Sequence, residues 1–183
     1  MILIDETYFT GELMLPNIPV NPLPESGTAL ALQTAGEKNL DVFVDKYVTD
    51  YLVRLFGRSF TRTFLDALEL PTPGRIWLDL KDQLLIKTGS YKASPLANYV
   101  YYMVSSAAVT KTTQAGECDP DFDNSQNAFN RRKFSRAWNE MADMTRKLLK
   151  WFDRQWDVYG EYMTDCEGMD RKSIADYTNE FGI

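Results

Sequence analysis

Residues 134–159 read FSRAWNEMADMTRKLLKWFDRQWDVY, and their spacing decides the fold class. Phe134, Ala137, Trp138, Met141, Met144, Thr145, Leu148, Leu149, Phe152, Trp156 and Tyr159 recur every three or four positions, the interval at which side chains share one face of an α-helix. Extended back to Ser125, the pattern predicts one continuous helix to Tyr159, about 50 Å long. A compact chain of this size has a radius of gyration of about 16 Å, so such a rod spans the body or projects from it. The aromatic stripe is expected to be core rather than a ligand box.

Upstream, Ser94-Pro95 places a capping hydroxyl before a proline at the first helical position, where the missing N–H costs nothing. The helix that follows, Pro95 to about Lys111, carries Leu96, Ala97, Tyr99, Val100, Tyr101, Tyr102, Met103, Val104, Ala107, Ala108 and Val109. It is nearly apolar all round, so it is expected to be buried on several sides, as a central core helix or in part by a subunit interface. Three further helices are predicted. The first starts at Asn39 along Leu40, Phe43, Val44, Tyr47, Tyr51, Leu52 and Leu55, with Gly57 as its stop. The second is capped by Ser59 and carries Phe60, Phe64, Leu65 and Leu68. The third runs from Arg75 to Lys87. The expectation is therefore an all-α bundle of about five helices with one long C-terminal member.

The two ends differ from this body. Four of the eight prolines lie between Pro16 and Pro24, and proline fixes φ and lacks a donor. Residues 1–37 are thus expected as an extended arm with short β character around Ile2-Leu3-Ile4 and Tyr8–Leu15, preceding a helical domain over 38–163. An arm this apolar docks on its own core or reaches a neighbouring subunit. Tyr8, Phe9, Leu13, Leu15, Tyr99 and Tyr102 are candidate interface residues, because tyrosine joins a large apolar body to a polar tip. The tail, 164–183, ends in Phe181 and Ile183, which join them as apolar docking candidates.

Composition narrows the chemistry. There is no histidine, which removes the commonest general base and metal ligand near neutral pH. No Gly-rich phosphate loop, G-x-S-x-G elbow or C-x-x-C pair occurs. The reading is of a chain without catalytic residues, cofactor or metal. Cys118 and Cys166 are expected as free thiols. Asp119-Pro120-Asp121-Phe122-Asp123 starts like a calcium loop, then fails with Asn124 at the glycine position and Asn130 at the bidentate glutamate position. The net charge of −6 argues against a polyphosphate-binding surface, yet an acidic wall suits a passage through which DNA must not stick. Arg131, Arg132, Lys133 and Arg136 sit near the helix start, the unfavourable end for cations. They are expected to meet the acidic loop at 117–123, or an acidic partner or DNA backbone. The start Met1-Ile2-Leu3-Ile4-Asp5 is unlike a signal peptide and no apolar run of about 18 residues exists, so a soluble protein made in the cytoplasm is expected.

Four stretches taken together carry a resemblance. They are Tyr8–Ile18, Ser94–Tyr102 leading to Thr112–Glu117, Arg136-Ala137-Trp138-Asn139-Glu140-Met141, and Asn179-Glu180-Phe181-Gly182-Ile183. In these the chain resembles small structural proteins of tailed bacteriophages and prophages of Bacteroidetes hosts, the head–tail connector or neck-adaptor proteins. The resemblance implies a virion component that is not an enzyme: a helical adaptor forming a ring of about twelve subunits. Its implied partners are copies of itself, the portal protein and tail or stopper proteins, with genomic DNA passing through the channel. A stopper one layer lower, or a small carboxylate-dependent enzyme or metal-binding regulator, are the alternatives.

Overall fold

The structure, a computed structural model, describes residues 3–15, 27–88, 91–109, 111–113, 116–118 and 124–179. Among these the chain is mostly helical. Its elements in order are α1 (Gly27–Phe56), α2 (Arg58–Glu69), α3 (Arg75–Leu84), β1 (Ile86–Thr88), β2 (Tyr91–Ala93), α4 (Pro95–Val109), β3 (Lys111–Thr113), β4 (Gly116–Cys118), α5 (Asn124–Arg154), α6 (Trp156–Tyr159) and α7 (Arg171–Ala175). Strands β1 and β2 form one antiparallel hairpin, with Ile86 opposite Ala93, and β3 and β4 form another, with Lys111 opposite Cys118. No helix among the described residues is long and apolar enough to cross a membrane.

α4 packs against both α1 and α5, which solves the problem posed by a helix that is nearly apolar all round. Leu96, Ala97, Tyr99, Val100 and Tyr101 are buried. The helix starts where the Ser-Pro pair predicts, the Ser94 hydroxyl accepting from the Leu96 N–H at 3.2 Å. Two polar ties keep the three helices in register. The Asn98 amide donates to the Ala137 carbonyl at 3.0 Å, and Tyr51 on α1 bonds Thr145 on α5 at 2.7 Å. Each is buried, where an unpaired partner would cost more than the bond itself contributes.

The predicted rod is broken. α5 ends at Arg154, Gln155 turns with its N–H on the Phe152 carbonyl, and α6 follows. In an unbroken helix Phe152 and Tyr159 would be separated by about 10.5 Å of axial rise. Here their rings stack at 5.1 Å. The break turns Tyr159 into a cluster with Phe60 and Trp77 and lets its hydroxyl donate to the Ile76 carbonyl at 2.7 Å. Aromatic burial and a satisfied hydroxyl outweigh helical continuity.

The first helix starts twelve residues before Asn39, at Gly27, so the boundary expected at residue 37 falls inside α1. Gly57 ends α1 as expected, with φ +84° and its N–H on the Val53 carbonyl. A methyl group there would also sit 3.0 Å from the Asp165 carbonyl oxygen. The cap expected of Ser59 does not form: α2 begins one residue earlier, at Arg58, and the Ser59 hydroxyl pairs with Thr164 instead. The third helix stops at Leu84, because the next residues pair as the first hairpin. The polar loop after α4 contains the second hairpin.

Residues 3–15 carry two 3-10 turns, Glu6–Tyr8 and Gly11–Leu13, in place of the expected β character. Asp5 caps the first turn by accepting from the Thr7 N–H, a local bond that competes with strand geometry. The prolines from Pro16 to Pro24, on which the extended-arm reading rests, lie outside the described residues.

Two outcomes follow from the aromatic cluster. Phe152→Ala, which empties contacts with Phe56, Phe60 and Tyr159, should lower stability by about 3–5 kcal/mol in urea denaturation. Burial, with a smaller push from Asp79, raises the Tyr159 hydroxyl to about 12. Its folded value lies above the unfolded value of about 10, so its contribution is complete below about pH 10 and is lost as pH climbs toward about 12. Tyr159→Phe should cost about 1 kcal/mol at neutral pH and flatten the alkaline loss of stability measured by thermal unfolding. A slope remains, because burial also raises Tyr51 and Tyr99.

Candidate functional site

Both end segments of the chain meet α5 over residues 135–146. From the N-terminal side, the Glu12 carboxylate accepts from the Arg136 guanidinium at 2.7 Å. Both groups are exposed, so the pair itself adds well under about 1 kcal/mol. The segment is held mainly by burial: Leu3, Ile4, Tyr8, Phe9 and Leu15 lie in the core and Leu13 packs against it. Lys92 on β2 fastens the first turn, bonding the Thr7 hydroxyl, lying 4.0 Å from Asp5 and standing over the Tyr8 ring.

From the C-terminal side, residues 176–179 run past the same turns of α5. The Trp138 indole N–H donates to the Asp176 carbonyl at 2.9 Å. The Asn139 amide makes two bonds to one residue, donating to the Thr178 carbonyl at 3.0 Å and accepting from its N–H at 2.9 Å. Ser135 donates to the Asn179 carbonyl at 2.7 Å. Tyr177 lies 3.8 Å from the Arg146 guanidinium and donates to Asp143; that bond to the carboxylate is the first cause of its raised pKa. Arg132, Arg136, Glu140 and Asp143 line an open groove whose other wall is Thr178 and Asn179.

Behind this face, Tyr99 connects core to surface. Its hydroxyl donates to Asp50, which also accepts from Arg54 at 3.0 Å, and Arg54 lies 4.0 Å from Asp170. Burial first, and then the bond to Asp50, raises the Tyr99 pKa beyond the ordinary tyrosine range. Asp170 caps α7, and its bonds from Ser173 hold its carboxyl below the usual value. These groups tie α1, α4 and the C-terminal segment together, and none of them lines the groove beside Thr178 and Asn179. Among the described residues no group of three or more acidic or thiol side chains is placed to hold a metal, and Cys166 is a free, exposed thiol.

The residues singled out in the sequence are therefore distributed unevenly. Tyr8, Phe9, Leu15 and Tyr99 are buried within this chain, so they meet a partner only if their segment moves. Leu13 and Tyr102 are half-buried, the Tyr102 ring standing edge-on to Trp138 at 4.7 Å. Phe181 and Ile183 lie outside the described residues. In the basic cluster Arg136 goes to Glu12, Lys133 stands over Tyr101 at 5.3 Å and Arg132 is exposed. The side chains of Arg131 and of the acidic loop at 117–123 lie outside the described ones.

Ser135, Asn139 and the Trp138 indole were legible only as helix residues. The signal that points to their role is a serine and an asparagine flanking a tryptophan on a face that should otherwise be charged or apolar. Comparison with protein-family models, curated proteins and solved structures returned no match.

Deletion of residues 1–15 removes five buried apolar side chains from the protomer. It should lower the stability of the isolated chain by several kcal/mol, about 1.5–3 kcal/mol per side chain being the upper scale for burial. An unchanged midpoint in urea denaturation would show instead that the segment does not lie on its own core in solution.

Proposed function

We propose that this chain is a virion structural protein of a tailed phage or prophage, a head–tail connector that forms a ring between portal and tail around the DNA channel. The observation that carries the reading on the structural side is apolar surface that the protomer leaves open. Beyond Tyr101, α4 continues with Tyr102, Met103 and Val104 only half-buried, on a helix whose residues are mostly apolar. Elsewhere Tyr91 on β2 is 66% exposed and Trp156 on α6 is 50% exposed. Aromatic residues left open on separate elements suit a subunit that packs against different neighbours on different faces. Heterologous contacts of this kind close into a ring when the rotation between copies allows.

The sequence resemblance supplies the particular setting. In it the portal, tail or stopper proteins and further copies of the chain are the partners. Arg132, Lys133 and Arg136 are the cations that would lie toward an acidic partner surface or the passing DNA backbone. The chain then acts by occupying a position and not by turning over a substrate.

Mass spectrometry and electron microscopy of purified particles test this. The chain should be a stoichiometric component, traceable as a ring between portal and tail, and its layer in the map separates adaptor from stopper. Particles that lack the chain, or turnover of a small molecule by the dissociated protein, would end the proposal.

A further inference from the structure

Of the contacts described above, those between α5 and residues 176–179 have an unusual division of labour. Four hydrogen bonds from Ser135, Trp138 and Asn139 reach main-chain groups of the segment, at Asp176, Thr178 and Asn179. One side chain of the segment, Tyr177, is recognised directly, by Arg146 below its ring and Asp143 at its hydroxyl. This is how a peptide-binding surface reads an extended ligand: main-chain bonds give affinity in a fixed register, and a directly contacted side chain, here the exposed Tyr177, adds specificity. A helix face that only needed to bury a tail would use apolar contacts, yet the groove beside the segment is lined by Arg132, Arg136, Glu140 and Asp143.

The segment leaves a short helix. α7, which delivers it, has five residues and one fully buried side chain, Ile174. Another anchor, Arg171, donates to the Leu55 carbonyl at 2.8 Å, while its buried Nη2 has no hydrogen-bond partner among the described residues. A buried donor without an acceptor works against the docked state. Burial correspondingly lowers the affinity of this guanidinium for its proton.

We propose that the Ser135–Arg146 face of α5 is a receptor for an extended peptide, and that between molecules it takes residues 176–179 of a second copy of this chain. The second copy is the occupant because Asp176–Asn179 is the sequence whose main chain pairs with Ser135, Trp138 and Asn139, and each copy carries it. Every molecule is then both donor and acceptor, which links copies in one direction through a heterologous contact. The inference does not depend on the chain being a virion component.

Cross-linking decides it. In full-length chain with Cys118→Ser and Cys166→Ser, one preparation carries Ser135→Cys and another Asn179→Cys, the pair whose contact closes the track. Oxidation of the mixture should give a disulfide-linked two-chain species. Excess peptide spanning residues 176–183 should suppress it about tenfold, because it competes for the same face, whereas a scrambled peptide should not. Asn139→Ala and Asn139→Asp should each abolish the link while the far-ultraviolet spectrum and melting temperature confirm a folded chain. Absence of a linked species in the mixture would overturn the inference, and so would a link that survives both Asn139 variants or the excess of peptide.

Discussion

The fold depends on covering α4. An α-helix that is apolar around its circumference has no side to offer water, so its neighbours must arrive from more than one direction. α1 and α5, 30 and 31 residues long, are the two walls, each about 45 Å in length. Their length lets each continue past α4 and support other elements: α2 and α7 contact α1, and α6 and α7 contact α5. The polar ties across this layer, Tyr51 with Thr145 and Asn98 with the Ala137 carbonyl, fix the register along surfaces that hydrophobic contact alone would leave free to slide.

What was legible in the sequence follows from what local spacing encodes. The three- and four-residue recurrence from Phe134 gave a long helix, and the Ser94-Pro95 pair gave the start of α4 to the residue. Both are local signals. The break at Gln155 was not legible, because nothing near it is a helix breaker. Its cause is the distant group formed by Phe60, Trp77 and the Ile76 carbonyl, which captures Tyr159. The cap on α2 was misplaced for a related reason: Ser59 is a sound capping residue, yet Thr164, more than a hundred positions away, takes its hydroxyl.

The N-terminal segment shows the same limit from the other side. Its apolar residues were evident, and either destination, its own core or a neighbour, satisfies the hydrophobic requirement equally. Within the protomer its apolar residues lie in the core, with Lys92 set between Asp5, Thr7 and the Tyr8 ring and Arg136 against Glu12. For the candidate site, Tyr8, Phe9 and Tyr99 drew attention as aromatic surface but are buried, whereas the exposed Tyr91 and Trp156 carry no local signal that sets them apart; the face that meets the tail was not legible, since Ser135 and Asn139 look like ordinary exposed helix residues.

Arg136 and Ser135 are neighbours on α5, and they hold the two ends of the chain: one grips Glu12 and the other the Asn179 carbonyl. The two attachments differ in kind. The N-terminal segment is fastened by apolar burial, which contributes in proportion to area and is indifferent to direction. The C-terminal segment is fastened by hydrogen bonds, which exchange readily with water and so contribute little net energy, while demanding a particular geometry. Burial suits a contact that stays made, and geometry suits one that is chosen among alternatives. On this basis the N-terminal segment is held by the area it buries, and residues 176–179 by the direction of their bonds.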